Sequence, residues 1–313
     1  ALPLAIAAAL GFARLAKRLP ARWQGAAATA CVALIVLDSW PLPIPMHAPR
    51  GQYTLPAAAR DAAVIELPLG DVVDDDISAM IRGMSHGRPV VNGYTGYFPG
   101  PYNMLQRALR ERDPSVLKGL ATFDPLCIVI DRRLLLARNS RLMTEAAGAH
   151  LIGTDRDFAF YRLERQPEPV VPGRGTVDIT SAVATNWPEP TREPIDGRVT
   201  TFWESLTRQR GREGMTLTLK EASPVSGVVL SLGDRLAGYP RQLVVETSLD
   251  ATSWTPAWEG PTAGLAYVGA VRDFSQTRFT VSFKPRDARF VRLLQTGSAE
   301  DRYWTIAEVE VLR

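Results

Sequence analysis

The sequence contains very little cysteine and histidine: its 313 residues include two Cys and three His. Cys31 and Cys127 lie in separate apolar runs, and neither has a second thiol or a histidine at the spacing of a zinc site. We therefore expect neither a disulfide nor a zinc centre. The chain also lacks a nucleophile elbow, a glycine-rich phosphate loop and a catalytic carboxylate pair, so no active site is recognisable in it.

An excess of charge of one sign is also absent from most of the chain. Hydrophobic residues make up 46% and charged residues 22%, which is typical of globular protein and argues against disorder. The whole net charge of +3 lies in the first 47 residues, where Arg14, Lys17, Arg18 and Arg22 outnumber the single acid Asp38. Since the rest of the chain is balanced, we expect no nucleic-acid partner.

Two apolar runs open the chain, at residues 1–13 and 25–37. Each is shorter than the roughly 20 residues of a spanning helix, but Trp23, Trp40 and the basic residues between the runs can act as interfacial anchors. We predict that residues 1–47 form two transmembrane helices, the first of them truncated. A buried helical hairpin of a soluble core is the alternative. By the positive-inside rule the basic turn is cytoplasmic and the chain is extracytoplasmic after the second helix.

Residues 48–165 are predicted to form a small α/β domain. Apolar runs, N-terminal acids and helical periodicity indicate its elements. The pattern predicts strands over 62–67, 126–130 and 158–163, the last at an edge, and helices over 74–82, 101–112 and 144–150.

A loop rich in glycine, proline and aromatic residues joins the first two of these helices, over residues 83–99. Polar side chains on such shaped loops often bind a ligand, which makes His86, Asn92 and Tyr94 candidates for a loop site. Because no carboxylate or nucleophile accompanies them at an informative spacing, we favour the alternative of a loop structured by its Asn-Gly turn and packed Tyr rings.

Two motifs in this region carry a resemblance, VIELP at residues 64–68 and HGRPVVNGYTGYFP at residues 86–99. With the apolar runs and the proline-rich stretch at 41–45, they resemble the end of bacterial GT-C-type membrane glycosyltransferases, which take sugar from polyprenyl-phosphate carriers. The resemblance covers about residues 1–165. It implies a catalytic carboxylate in an earlier extracytoplasmic loop, outside this sequence, so we assign no catalytic residue and leave open whether the protein is an enzyme.

Residues 166–175 are rich in proline and glycine and are predicted to be a linker. After it, short strand-like segments alternate with turn residues over 176–313, which predicts an all-β sandwich or jelly roll. The strand candidates are residues 215–219, 225–232, 243–247, 278–283 and 290–294.

Four ordered blocks in this half carry a second resemblance: DGRVTTFW at 196–203, YPRQLVVETSLDATSW at 239–254, ARFVRL at 288–293 and WTIAEV at 304–309. They resemble the discoidin, or coagulation factor 5/8 type C, family and its carbohydrate-binding relatives. The resemblance implies a discoidin-like jelly-roll fold and a sugar-binding role.

The Asp-Gly turn that opens the first block is a candidate cation site. Asp196 and Thr201 present oxygen atoms on one tight loop, which suits a hard cation. The resemblance implies a structural calcium held by these two residues and Glu308. The alternative is a plain surface turn followed by the core residue Trp203.

A sugar site on this fold is expected on loops at one end of the sandwich. The candidates are Trp187, Arg208, Arg210 and Tyr303, because aromatic rings offer a flat apolar face to a pyranose and arginines bond its hydroxyls. A solvated loop is the alternative for the arginines, and we expect Trp304 to be a core residue rather than a ligand contact.

Together these patterns favour the extracytoplasmic region of a glycosyltransferase-like protein of the bacterial inner membrane, with a discoidin-like domain that binds a glycan near the bilayer, on the periplasmic side. The expected partners are the lipid bilayer and a glycan or cell-envelope polysaccharide. The alternative is a non-enzymatic, membrane-anchored glycan-binding or adhesion protein. Lipid-headgroup binding by the sandwich is disfavoured because the loop at 204–212 is polar.

Overall fold

The computed structural model describes residues 2–39, 51–70, 73–169, 175–185 and 187–313. The chain divides into two compact units, Ala1–Ala48 and Pro49–Arg313. The predicted anchor Trp40, the proline-rich stretch at 41–45 and residues 170–174 of the predicted linker lie outside the described residues.

The first unit is a pair of helices, α1 (Leu2–Ala16) and α2 (Ala21–Asp38). The apolar side chains of α2 are turned outward: Val32, Leu34, Ile35 and Leu37 are each at least 60% exposed. Two membrane-spanning helices were expected here; within the described residues, no helix is long and apolar enough to cross a membrane.

The second unit begins with an α/β region. Its elements are β1 (Ala63–Leu67), α3 (Val73–His86), α4 (Gly100–Arg110), α5 (Ser115–Leu120), β2 (Leu126–Asp131), α6 (Ala137–Ala146), β3 (His150–Thr154) and β4 (Phe158–Leu163). The four strands form a mixed sheet in the order β1-β2-β4-β3. Strands β1 and β2 are parallel, and β4 pairs antiparallel with both β2 and β3.

Two details of this region differ from the sequence-based predictions. Strand β4 is not an edge strand but lies between β2 and β3, because Phe158, Phe160 and their neighbours are buried on both faces of the sheet. The predicted helix over 144–150 is instead the end of α6, and His150 already begins β3. The polar character of α6 hid most of that helix from a search for apolar periodicity.

The rest of the unit is an all-β sandwich. Two very long strands carry it, β9 (Glu213–Gly233) and β12 (Thr277–Gln295), and each contains two of the predicted strands joined through register shifts. The remaining elements are β5 (Thr176–Val177), β6 (Ile179–Ala184), β7 (Trp187–Thr191), β8 (Trp203–Arg208), β10 (Gln242–Ser248), β11 (Thr255–Pro261), α7 (Ala263–Arg272), β13 (Tyr303–Ile306) and β14 (Glu308–Leu312).

One apolar core runs from the α/β region into the sandwich. It contains Ile65 and Leu105 on one side, Leu243 and Val291 on the other, and Ala266 of α7 between them. Helix α7 was not predicted, because its short run of small residues lies within an otherwise strand-rich sequence.

Small residues allow α5 and α7 to touch at the junction. A Cβ atom on Gly264 would lie 2.2 Å from the Ser115 carbonyl oxygen, and one on Gly119 would lie 2.5 Å from that of Gly264. Nearby, the Arg241 side chain donates to both carboxylate oxygens of Glu111, at 2.7 and 2.9 Å. The sandwich is therefore seated on the α/β region through specific contacts.

Candidate functional site

A polar cleft of about 580 Å³ lies between α4 and one end of the sandwich. Helix α4 forms one wall, and β8, β13 and the turn at Leu236–Gly238 form the other. Its charged and aromatic lining comprises Arg107, Arg110, Glu204, Asp234, Arg235, Asp301, Arg302 and Tyr303.

Helix α4 is amphipathic, which explains how it can form one wall of the cleft. Met104, Leu105, Ala108 and Leu109 are buried in the core. The polar residues at positions 103, 106, 107 and 110 recur at helical spacing, and all of them line the cleft. The same helix thus contributes to the core with one face and to the cleft with the other.

Ion pairs lie across the cleft and along its edge. The Arg107 guanidinium donates to Asp301 across it at 2.8 Å, and this hydrogen bond holds the pKa of the Asp301 carboxyl below its usual value. Arg302 lies 3.7 Å from the same carboxylate. On the turn, Arg235 lies 3.5 Å from Asp234 and stacks over the Phe202 ring at 4.1 Å.

Strand β13 presents its aromatic residues alternately. Tyr303 is 41% exposed and lines the cleft, whereas the next residue, Trp304, is fully buried and packs edge-on against Trp203 with ring centroids 5.5 Å apart. The side chains of successive strand residues point to opposite faces, which explains this division. The expectation that Trp304 belongs to the core is confirmed.

The other predicted sugar contacts are spread over this end of the domain. Arg208 is the strand partner of Tyr303, with an exposed side chain that is not part of the cleft lining. The backbone N–H of Arg210 donates to the buried carboxylate of Glu213, which closes the loop between β8 and β9. Trp187 is 49% exposed and borders a separate small depression beside Glu213.

The predicted calcium ligands do come together. The Thr201 hydroxyl lies 2.8 Å from one Asp196 carboxylate oxygen and 3.0 Å from the other, and also 2.8 Å from the Arg198 carbonyl oxygen. The Gly197 N–H donates to Glu308 at 2.9 Å. Gly197 has a φ of +74°, which a glycine adopts without strain and which makes this tight turn possible.

Glu308 is half-buried beside this turn, at the start of β14. Burial, followed by the neighbouring Asp196 carboxylate, raises its pKa to about 7. The carboxylates of Asp196 and Glu308 therefore lie at the same turn, and the surroundings of Glu308 disfavour its charged form.

The motif residues of the α/β region form a different kind of polar cluster. The Nε of Arg82 donates to one carboxylate oxygen of Glu66 at 3.0 Å and its Nη2 donates to the other, and Tyr53 donates to the same carboxylate at 2.8 Å. Asn92 accepts from the Glu66 N–H at 2.7 Å and donates to the Glu66 carbonyl and to Asp76, at 3.0 and 3.1 Å. Burial raises the pKa of Asp76.

His86 and Tyr94, the other two candidates of that loop, lie at the rim of this cluster rather than in a common pocket. The His86 ring stacks on Tyr53 with centroids 6.0 Å apart, and its Nδ1 accepts from the Arg88 N–H at 3.1 Å. Burial lowers the pKa of His86. Tyr94 packs against Phe98, with ring centroids 5.5 Å apart.

Sequence reasoning missed most of the cleft. Tyr303 was a candidate, but the α4 residues and the Asp234–Arg235 turn were not. A signal was present in α4, because its polar residues recur on one face at helical spacing. Nothing in the sequence indicated which part of the sandwich that face meets.

The comparisons with known proteins concern the C-terminal part of the chain. Residues 177–309 match the F5/8 type C domain family. None of the curated proteins matches the chain.

Solved structures similar to this part include several short modules. The module of AlyQ solved with 4,5-unsaturated mannuronic acid is 22% identical and has a TM-score of 0.35, covering 45% of this chain and 99% of its own. Chitosan-binding module 1 from a Paenibacillus sp. IK-5 chitosanase/glucanase is 20% identical, with a TM-score of 0.33 and coverages of 44% and 97%. The family 32 module of C. perfringens NanJ, solved with galactose, is 19% identical, with a TM-score of 0.32 and coverages of 42% and 92%.

The family match and the sandwich agree with the four sequence blocks that predicted a discoidin-like fold. The C-terminal part of the chain, residues 177–309, is an F5/8 type C domain.

Proposed function

We propose that this domain binds carbohydrate and that the ligand occupies the cleft beside α4. The observation that carries the proposal is the composition of the cleft, which is lined by an exposed Tyr303 together with arginines and carboxylates. A pyranose has apolar C–H faces that suit an aromatic ring, and hydroxyls that both donate to carboxylates and accept from guanidinium groups.

The test is a glycan-array screen of the full chain, followed by calorimetry on the best ligand. We expect Tyr303→Ala to weaken binding at least about tenfold, since it removes the exposed stacking surface. Phe274→Ala is the matched control, because Phe274 is also exposed, at 62%, but does not line the cleft. Failure of the unaltered chain to bind any glycan, or equal binding by Tyr303→Ala, refutes the assignment.

We further propose that Asp196, Thr201 and Glu308 hold a structural calcium ion. Two carboxylates, a hydroxyl and the Arg198 carbonyl are the all-oxygen donor set that calcium prefers. The described part of the chain holds no cluster of three or more His, Cys, Asp or Glu side chains suited to a metal, and the proposed site contains two carboxylates. When bound, the ion would stiffen the turn between the 3₁₀ segment Glu193–Ile195 and β8.

Calcium titration with thermal unfolding tests this proposal. Calcium should raise the melting temperature of the unaltered chain and leave that of Asp196→Ala unchanged. Asp178→Ala, at an exposed aspartate paired only with Lys220 at 3.5 Å among the described residues, is the matched control and should respond like the unaltered chain. Equal responses of all three would show that calcium does not use this turn.

The finer hypothesis places this domain at the extracytoplasmic face of a GT-C-type glycosyltransferase, on the periplasmic side of the bacterial inner membrane. The VIELP and NGYTG motifs and the apolar runs around a basic turn support it. A tethered module raises the local glycan concentration at an enzyme, so weak sugar contacts suffice. The alternative is a non-enzymatic, membrane-anchored adhesion protein. Transfer of a polyprenyl-linked sugar by membranes that contain the complete protein would separate the two.

A further inference from the structure

A second cavity, of about 430 Å³, lies in the α/β region between α6 and the strands β2, β3 and β4. Its floor is apolar and includes the buried side chains of Ile130 and Ala159. Carboxylates are absent from its lining, as far as the described residues extend. All of its polar side chains can donate hydrogen bonds: Arg132, Arg138, Arg141, Thr154 and Tyr161.

The three arginines of this cavity are exposed and open to a ligand. Arg138 has neither a hydrogen bond nor an ion pair with the residues that the structure describes. Arg132 donates to the Asp155 carbonyl oxygen at 3.4 Å, and Arg141 lies 3.6 Å from Glu145 in an exposed i,i+4 pair. Because exposed pairs of this kind are weak, they do not prevent these guanidinium groups from binding an anion.

Tyr161 contributes a donor from the inner side of the cavity. Its side chain is only 5% exposed, and its hydroxyl has no hydrogen-bond partner among the described residues. The hydroxyl oxygen is nevertheless not sealed from solvent, so a ligand in the cavity can reach it. Burial raises the pKa of Tyr161, and the hydroxyl therefore keeps its proton at neutral pH. A nearly buried donor without a partner requires an explanation, which a bound acceptor supplies.

The start of α6 adds positive potential. Ala137 and Arg138, the first two residues of this ten-residue helix, line the cavity. The helix has no side-chain cap hydrogen bond and no acidic residue in its first turn. The free N–H groups at a helix N-terminus carry partial positive charge and favour a bound anion. The helix end therefore acts in the same direction as the three guanidinium groups.

We propose that the cavity between α6 and the sheet binds a phosphomonoester, with Arg132, Arg138, Arg141 and Tyr161 as the contacts of its phosphate. A phosphate dianion has three terminal oxygens that only accept hydrogen bonds, and guanidinium groups bind them through paired N–H donors. A carboxylate offers two oxygens and a single charge, which match three arginines less well. This site lies outside the cleft beside α4 and does not depend on the proposed carbohydrate function.

A phosphomonoester occurs free in solution or as the head group of a lipid. Exposed leucines border the arginines: Leu151 lines the cavity and is 53% exposed, and Leu142, one helical turn after Arg138, is 50% exposed. Apolar side chains beside arginines suit the surface of an anionic bilayer. The experiment therefore tests both sources of the phosphate.

Calorimetry of the full chain with glycerol 3-phosphate tests the free ligand. Glycerate, which has a carboxylate in place of the phosphate ester, should bind at least about tenfold more weakly. Co-sedimentation with phosphatidylcholine vesicles that contain one part in five of phosphatidic acid tests the lipid. Vesicles of phosphatidylcholine alone give the background, which includes any binding by the apolar helices α1 and α2.

Arg138→Gln should weaken binding of the phosphate probe by about fivefold or more, because it removes a guanidinium group with no other partner. Arg60→Gln is the matched control. Arg60 is also exposed and has no side-chain partner among the described residues, but it does not line the cavity. The control should bind as the unaltered chain does.

Tyr161→Phe removes only the hydroxyl and should weaken binding by about threefold or more, with the melting temperature retained. Tyr267→Phe is its control. Tyr267 is similarly buried, at 6% exposure, and its hydroxyl has no hydrogen-bond partner in the described part of the chain, but it lies outside the cavity.

Binding of either probe that is weakened in both cavity variants and kept in their controls supports the phosphate site. Binding of glycerol 3-phosphate assigns a free ligand, and binding of the phosphatidic acid vesicles alone assigns a lipid head group. Failure of both probes to bind, equal binding of glycerate, or full binding by both cavity variants overturns the proposal. Glycan binding is measured separately through Tyr303→Ala, so the two proposals can fail independently.

Discussion

The two polar clusters of the second unit contain the same kinds of residue but differ in what surrounds them. In the α/β region, Glu66, Arg82 and Asn92 are all less than 9% exposed and hydrogen-bond to one another and to the backbone of β1. In the cleft beside α4, by contrast, carboxylates and arginines border open space. The hydrogen bonds of the first cluster join β1, α3 and the glycine-rich loop, whereas the charged groups of the second line a cavity, in which we propose that a glycan binds.

This comparison shows how to interpret a polar motif. A motif rich in Glu, Asn and Tyr can either stabilise the fold or bind a ligand. The two roles are distinguished by whether the polar groups of the motif already form hydrogen bonds within the protein. Because Asn92 uses both its oxygen and its nitrogen on β1 and α3, the motif 86–99 has a structural explanation that requires no ligand.

Removing the acid of the buried pair should have the largest effect. Glu66→Ala takes away the carboxylate of a nearly fully buried arginine, and we expect a loss of about 3–5 kcal/mol in unfolding free energy. Chemical denaturation followed by circular dichroism measures it. Glu164→Ala is the control, since its pair with Arg162 at 2.7 Å is exposed and should contribute at most about 1 kcal/mol. Equal losses of unfolding free energy in the two variants would mean that burial does not determine how much an ion pair contributes to stability.

Opening the junction between α5 and α7 should have an intermediate effect. Gly264→Ala places a Cβ atom within 2.2 Å of the Ser115 carbonyl oxygen, so the helices must separate. We expect about 1–3 kcal/mol of destabilisation from this overpacking, together with weaker glycan binding because the α4 wall shifts. Gly93→Ala, with no heavy atom within 4 Å of the added carbon, should leave binding unchanged. A stable Gly264→Ala chain with full binding would show that the wall does not depend on this junction.

The smallest effect should be the pH dependence contributed by Glu308. Its pKa of about 7 in the folded chain exceeds the ordinary glutamate value of 4.5, so the folded state binds more protons between these values. Stability in the presence of a chelator should therefore decrease as pH rises from about 4.5 to 7, by less than about 1 kcal/mol given the partial exposure of the group. Thermal unfolding at a series of pH values measures it, and Glu308→Gln should lack this contribution. An unchanged pH profile in the variant would assign the effect to other groups.

Much of the local structure could be predicted from sequence. The runs at 62–67 and 126–130 are strands, and the acids at 74–76 begin a helix. The strand over 158–163 was predicted correctly, but its position at a sheet edge was wrong, because the residue pattern of a strand does not show which strands flank it. The helix predicted over 144–150 was also wrong, since α6 ends at Ala146.

The sequence by itself predicted a discoidin-like sandwich over residues 176–313 from ordered motifs, and it placed Asp196 and Thr201 on one turn from local turn chemistry. That Glu308 lies beside this turn was implied by the family resemblance and not by any local pattern. Only the tertiary structure decided that Arg241 pairs with Glu111 and that α4 faces Tyr303 across a cleft. These residues are separated by more than one hundred positions, and their proximity depends on how α5 and α7 pack. No local pattern contains that information.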